Sequence, residues 1–134
     1  MRRVILFRGK TTDTGEWIEG FYFYKDRTQE HGIHCSVSMG VLMDRAFEVI
    51  PETIGQFTGL TDKKRVKIFE GDILLSESWG SNTRSKRKTH IVEWGWVGWL
   101  ASGYNGGMMV KPWLDVKSDW QVIGNIHDNK ELIK

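Results

Sequence analysis

The chain has one cysteine, Cys35, and two prolines in 134 residues. A single cysteine excludes any internal disulfide, which suits a reducing compartment, and a chain of this length buries enough surface to form a core without one. No apolar run approaches the roughly 18 residues needed to span a membrane. The N-terminus has only Val4-Ile5-Leu6-Phe7 between its arginines, short of the roughly 7–15 apolar residues of a secretory signal. A cytoplasmic protein without membrane partners is expected. The known catalytic strings are also missing: no Gly-x-Ser-x-Gly elbow, no phosphate-binding loop, no His-Glu-x-x-His helix. No catalytic residue, no metal and no cofactor are therefore expected.

Seven tryptophans and fifteen glycines are present instead. Period-two alternation recurs along the chain, the mark of half-buried strands. Val4 to Arg8 and Gly15 to Tyr24 form an expected hairpin across a Gly/Thr/Asp turn, with Gly20 a candidate bulge. A second alternation runs from His34 to Met43, and Phe47 to Ile50 is a short strand stopped by Pro51. Extension resumes at Ile54, with Gly59 expected to open the next turn. Arg65–Phe69 and Ile73–Glu77 flank Glu70-Gly71-Asp72. His90–Trp96, Met108 onward and Trp120–Ile126 are further strands, with Asn105-Gly106-Gly107 as a hairpin signal. Asp128 with Glu131 resembles a capping box, so a short C-terminal helical turn is expected.

Certain strings occur in a fixed order: Phe7-Arg8-Gly9-Lys10, Gly15-Glu16-Trp17-Ile18-Glu19-Gly20, Pro51 to Leu60, Asp62-Lys63, Ile68-Phe69-Glu70-Gly71-Asp72-Ile73, and Val122 to Asn129. In this order they resemble the YopX family, small proteins of bacteriophages and prophages, over essentially the whole chain. The resemblance leaves residues 78–118 unspecified. It implies a mainly β fold with an SH3-like barrel portion, oligomer formation and a phage context, and no assigned activity or catalytic residues. The resulting expectation is an antiparallel N-terminal β sub-domain, residues 1–58, packed on a C-terminal SH3-like barrel, residues 59–134.

Glu70 and Asp72 lie two apart and share a face if extended, as a cation site or acid/base pair would require. A divalent oxygen site needs several more ligands, whereas Gly and Asp before an apolar strand make a tight turn. Glu70, Gly71 and Asp72 are accordingly read as a structural turn. His31, His34 and Cys35 resemble a metal set, but a three-residue spacing converges on a helix, not on a strand.

Charge is more informative than its net value of +2. Between residues 61 and 90 eight basic side chains meet four acidic ones, and Arg84, Lys86, Arg87 and Lys88 fall within five residues. With Trp79 nearby as a stacking face, they are candidate contacts to nucleic acid or to a host protein. Trp94, Trp96 and Trp99 are candidate oligomer contacts, because exposed indoles are enriched at interfaces. Continued extension would put Trp99 on the face opposite Trp94 and Trp96. The function expected is a phage-encoded, non-enzymatic binding or regulatory protein. The alternative is a homo-oligomeric assembly protein with no nucleic-acid role.

Overall fold

The computed structural model describes residues 4–35, 45–76, 88–95, 98–105, 108–110 and 120–133. Their regular structure is mainly strand, with two 3₁₀ turns at Pro51–Thr53 and Lys130–Ile133. Two antiparallel sheets are present, ordered β4-β3-β2-β1-β5-β6 and β10-β9-β8-β7-β11, and neither closes into a barrel among the described residues. No described helix is long and apolar enough to cross a membrane. The chain divides into two compact units, Met1–Phe57 and Thr58–Lys134.

The first unit holds β1 (Phe7–Lys10), β2 (Trp17–Lys25), β3 (Glu30–Cys35), β4 (Arg45–Glu48) and the start of β5 (Gly55–Thr61). The expected first hairpin forms, with Phe7 opposite Gly20 and Lys10 opposite Trp17. Gly15, at φ +70°, closes its turn by donating its N–H to the Thr11 carbonyl at 3.0 Å. Gly20 stands where the β1–β2 register ends, one residue before the β2–β3 register begins at Phe21. A Cβ there would stand 2.2 Å from the His34 carbonyl oxygen. Glycine at this position allows a close approach of β3, and Ile33, fully buried, lies beside the gap.

Ile33 and Val49 centre this core, each contributing about 1.5–3 kcal/mol by burial. Gly9 faces both: a Cβ there would be 3.2 Å from Ile33 Cδ1 and 3.2 Å from Val49 Cβ. The curl of the sheet brings the end of β1 to the end of β4 through a Thr11–Val49 bridge. Thr12 N–H donates to the Glu48 carbonyl at 3.1 Å, and Ile50 N–H to the Lys10 carbonyl at 2.8 Å. Pro51 then stops extension and opens the 3₁₀ turn. Thr53 Oγ1 donates to the Ile50 carbonyl at 2.6 Å and accepts from Lys10 N–H at 2.9 Å. The expected alternation from Ser36 to Met43 lies outside the described residues.

The second unit holds the rest of β5 with β6 (Lys67–Phe69), β7 (Asp72–Ser76), β8 (Lys88–Trp94), β9 (Trp99–Asn105), β10 (Met108–Val110) and β11 (Gln121–Asn125). Strands β7 to β10 form a meander, and β11 returns to pair with β7. The Asn-Gly-Gly signal sits where expected, with Met108 opposite Asn105. Gly59 does not open a turn. Its φ of +87° is accommodated inside β5, and the chain turns at Asp62–Arg65 instead. The core is Ile68, Leu74, Val92, Ala101 and Trp120, with Leu60, Trp99 and Val122 packed against it.

Asp62 is the buried acid that organises this unit. Its Oδ1 accepts from the N–H groups of Lys64 at 2.8 Å and Val66 at 2.9 Å, holding the β5–β6 turn. Its Oδ2 accepts from Val122 N–H of β11 at 3.0 Å, sixty residues away. Burial tends to raise the Asp62 pKa, but the three amide donors and the Lys64 charge outweigh it and hold the carboxyl below the usual carboxylate range.

The C-terminal turn forms at Lys130–Ile133. The chain leading into it is held by Asn125, whose Oδ1 accepts from the N–H groups of His127 at 3.0 Å and Asp128 at 2.9 Å. The Asp128 carboxylate accepts from Asn125 Nδ2 at 3.1 Å. An amide side chain offers both an acceptor and a donor, so Asn125 bonds in both directions where a carboxylate cannot.

Because the folded Asp62 binds a proton less readily than the unfolded one, its stabilisation is present at neutral pH. It is lost as pH falls below about 4 and through the depressed folded value. Asp62→Asn is expected to cost about 2–3 kcal/mol at pH 7, since an amide nitrogen would face a backbone N–H. Denaturant titration of both proteins from neutral to acid pH checks this, and the gap between them should narrow on acidification.

Candidate functional site

The cross-strand registers of the first unit sort its side chains onto two faces, because directly opposed residues point the same way. One face carries Arg8, Lys10, Trp17, Glu19, Phe21, Phe23, Lys25, Glu30, His34 and Glu48; the other carries Phe7, Tyr22, Tyr24, His31, Ile33, Phe47 and Arg45. On the first, the Arg8 guanidinium lies 4.7 Å from the Trp17 ring centre and Lys10 Nζ 5.4 Å from it. Lys25 Nζ is 5.8 Å from the Phe23 ring and 3.9 Å from Glu30 Oε2. Cations and carboxylates are mixed on this side.

On the second face four rings form a continuous cluster. Phe7 to Tyr22 is 5.8 Å between ring centres, Tyr22 to His31 is 5.9 Å in a stacked pair, and Tyr24 to His31 is 4.8 Å. The Tyr22 hydroxyl and His31 Nδ1 are hydrogen-bonded at 2.6 Å. Tyr22 is 37% exposed and Tyr24 47%. Sequence reasoning read this stretch only as a hairpin strand. The alternating aromatics Phe21-Tyr22-Phe23-Tyr24 were the available signal, but the part played by His31 depends on the β2–β3 register.

The same register separates the histidines considered as metal ligands. His31 and His34 lie on opposite faces of β3 and do not converge. Cys35 Sγ donates to the Glu19 carbonyl at 3.2 Å. Burial, and to a smaller extent the Glu19 charge, raise its pKa and keep the thiol protonated. Among the described residues no three His, Cys, Asp or Glu side chains group as a metal site would require.

Glu70-Gly71-Asp72 stands at the corner between β6 and β7. Gly71 adopts φ +87°, and the fully buried Asp72 accepts from Phe69 N–H through Oδ2 at 2.7 Å. Gly71 N–H donates to the Val92 carbonyl at 2.9 Å, and its carbonyl accepts from Ile126 N–H at 2.9 Å. One residue thus ties this corner to β8 and to the chain leaving β11.

Of the basic segment, Trp79, Arg84, Lys86 and Arg87 lie outside the described residues, while Lys88 opens β8 opposite Ser76. Trp96 is also outside them. Trp94 and Trp99 are brought together at the end of the β8–β9 hairpin, opposed in register and 4.9 Å apart edge to face. Extension does not persist beyond Trp94: Gly95 N–H donates to the Gly98 carbonyl at 2.8 Å, so Trp99 returns on the face of Trp94 rather than the opposite one. Trp94 is 58% exposed, whereas Trp99 packs against the core.

A family model described as YopX protein matches residues 6–134. Among solved structures, the chain is similar to protein EF1440 from Enterococcus faecalis, with a TM-score of 0.55 and 24% sequence identity over 99% of this chain and 100% of that one. This likeness concerns the fold alone. No curated protein matches.

The corner has a direct test. A Cβ at Gly71 would make only ordinary contacts, the nearest 3.6 Å from Ile126 Cγ1, so the penalty of Gly71→Ala is conformational. It should cost about 1–2 kcal/mol, and Gly71→Asn less, because asparagine tolerates positive φ better. Equal denaturation midpoints for wild type and Gly71→Ala would reject this account.

Proposed function

The chain belongs to the YopX family, and on that premise we propose that it is a phage- or prophage-encoded, non-enzymatic binding or regulatory protein. It works in the host cytoplasm without a cofactor. It contacts nucleic acid or a host protein through the basic segment Arg84, Lys86, Arg87 and Lys88, with Trp79 as a stacking group. The observation that carries this reading is the density of that charge: four cations in five residues, the last of them entering β8. Such a segment neutralises phosphates or an acidic protein surface without needing a rigid site.

The side chains considered for chemistry have structural partners instead. Asp72 holds its corner, Cys35 donates to a carbonyl, and His31 is bonded to Tyr22. For the second unit, the finer description we adopt is an SH3-like barrel. It is supported by the β7–β10 meander and the return of β11 to β7.

A second reading has its own observation. Trp94 exposes more than half its surface beside Trp99, and a large exposed indole suits a contact between copies of this chain.

Two experiments separate these readings. DNA and RNA binding should be salt-sensitive, weakening steeply between about 50 and 200 mM salt. It should disappear when Arg84, Lys86, Arg87 and Lys88 are replaced by glutamine; binding that survives the replacement rejects the role of the segment, and no binding at either salt turns the search to a host protein. For assembly, sedimentation should show a defined multimer that Trp94→Ser shifts toward monomer. A monomer at every concentration rejects the second reading.

A further inference from the structure

We propose that the Phe7, Tyr22, Tyr24 and His31 face of the first unit is a stacking platform for the bases of single-stranded nucleic acid. The proposal rests on the nucleic-acid reading above, and it names the kind of strand and a site outside the basic segment. Three observations carry it.

The rings are contiguous, with successive centre distances of 5.8, 5.9 and 4.8 Å, and the tyrosines are exposed at 37% and 47%. A π-face available to solvent on a sheet is what unpaired bases stack on; a duplex keeps its base faces inside. Its central pair is also held before any ligand arrives. The hydroxyl of Tyr22 is bonded to His31 Nδ1 at 2.6 Å, and the His31 carbonyl accepts from Val49 N–H at 2.9 Å. That pair has little side-chain freedom left to lose on binding.

The third observation identifies the occupant by charge. Glu19, Glu30 and Glu48, the acidic residues of β1 to β4, all fall by register on the opposite face. The aromatic face carries no carboxylate from these strands, and it carries the exposed Arg45. An aromatic surface to which these strands add a guanidinium and no carboxylate complements a phosphate-linked chain of bases, and Arg45 is placed on the side that such a chain would occupy.

The test uses the full chain with fluorescent oligo(dT) and oligo(U) of about 15 nucleotides, and a duplex of the same length. Single strands should bind more tightly than the duplex. Tyr24→Ala should weaken single-strand binding at least about fivefold, while Tyr24→Phe, which keeps the ring, should bind as wild type. In the wild type, the His31 imidazole proton signals should move on addition of oligo(dT), a readout that does not depend on any variant folding. Equal affinity for duplex and single strand overturns the proposal, as does an unchanged affinity in a folded Tyr24→Ala. If the basic-segment variant loses binding while Tyr24→Ala retains it, this platform is rejected and the function proposed above stands. If the wild type binds no nucleic acid, both nucleic-acid readings fall.

Discussion

A carboxylate withdrawn from water has to be met by donors, and in the second unit Asp62 draws its donors from the most distant parts of the chain. Its two oxygens collect three backbone N–H groups from two places in the chain. The β5–β6 turn takes its shape from two of them. The third fixes where β11 lies, and β11 in turn covers the edge of β7 and closes over the Glu70-Gly71-Asp72 corner through Ile126. Adjacent to Asp62, Lys63 N–H donates to the carbonyl of Trp120, so the largest core side chain is tethered at the same place. A hydrophobic core alone would leave this register open, since a strand can slide by two residues and keep its apolar face.

Much of this architecture was legible in the residues. Alternation gave the strands, Pro51 marked the end of β4, and Asn105-Gly106-Gly107 located the β9–β10 turn. Gly59 does not open a turn, and Gly20 answers to a neighbour that its own segment does not show. A glycine in a strand marks an unusual backbone requirement, and the local sequence does not say whether that requirement is a turn, a bulge or a neighbouring chain passing close by. For Gly20 the answer lay in His34, on the next strand. Asp62 was hidden inside a charged run, because its decisive partner is sixty residues distant. Trp99 was assigned to the wrong face for want of the Gly95–Gly98 turn, which reverses the chain before the tryptophan is reached.

Recognition surfaces follow a different logic from the core. Three residues of reactive type, Cys35, His31 and Asp72, are hydrogen-bonded to a carbonyl, to Tyr22 and to a backbone N–H respectively. Several large aromatics are left to the solvent: Phe21, Tyr22, Tyr24 and Trp94 are all exposed. Aromatic rings provide contact area at low entropic cost, and they do so without needing a perturbed proton affinity.

The return of β11 to β7 also has a kinetic side. Every strand from β7 to β10 pairs with its sequence neighbour, so that meander can form in order while the chain is still being made. The far edge of β7 must wait for residues 121–125, several seconds later at about 5–20 residues per second of synthesis. During that interval a row of unpaired backbone groups, flanked by Ile73 and Leu74, stands open to any passing strand. Rapid, undiluted production therefore exposes nascent chains to edge-to-edge aggregation before the native partner of β7 has left the ribosome.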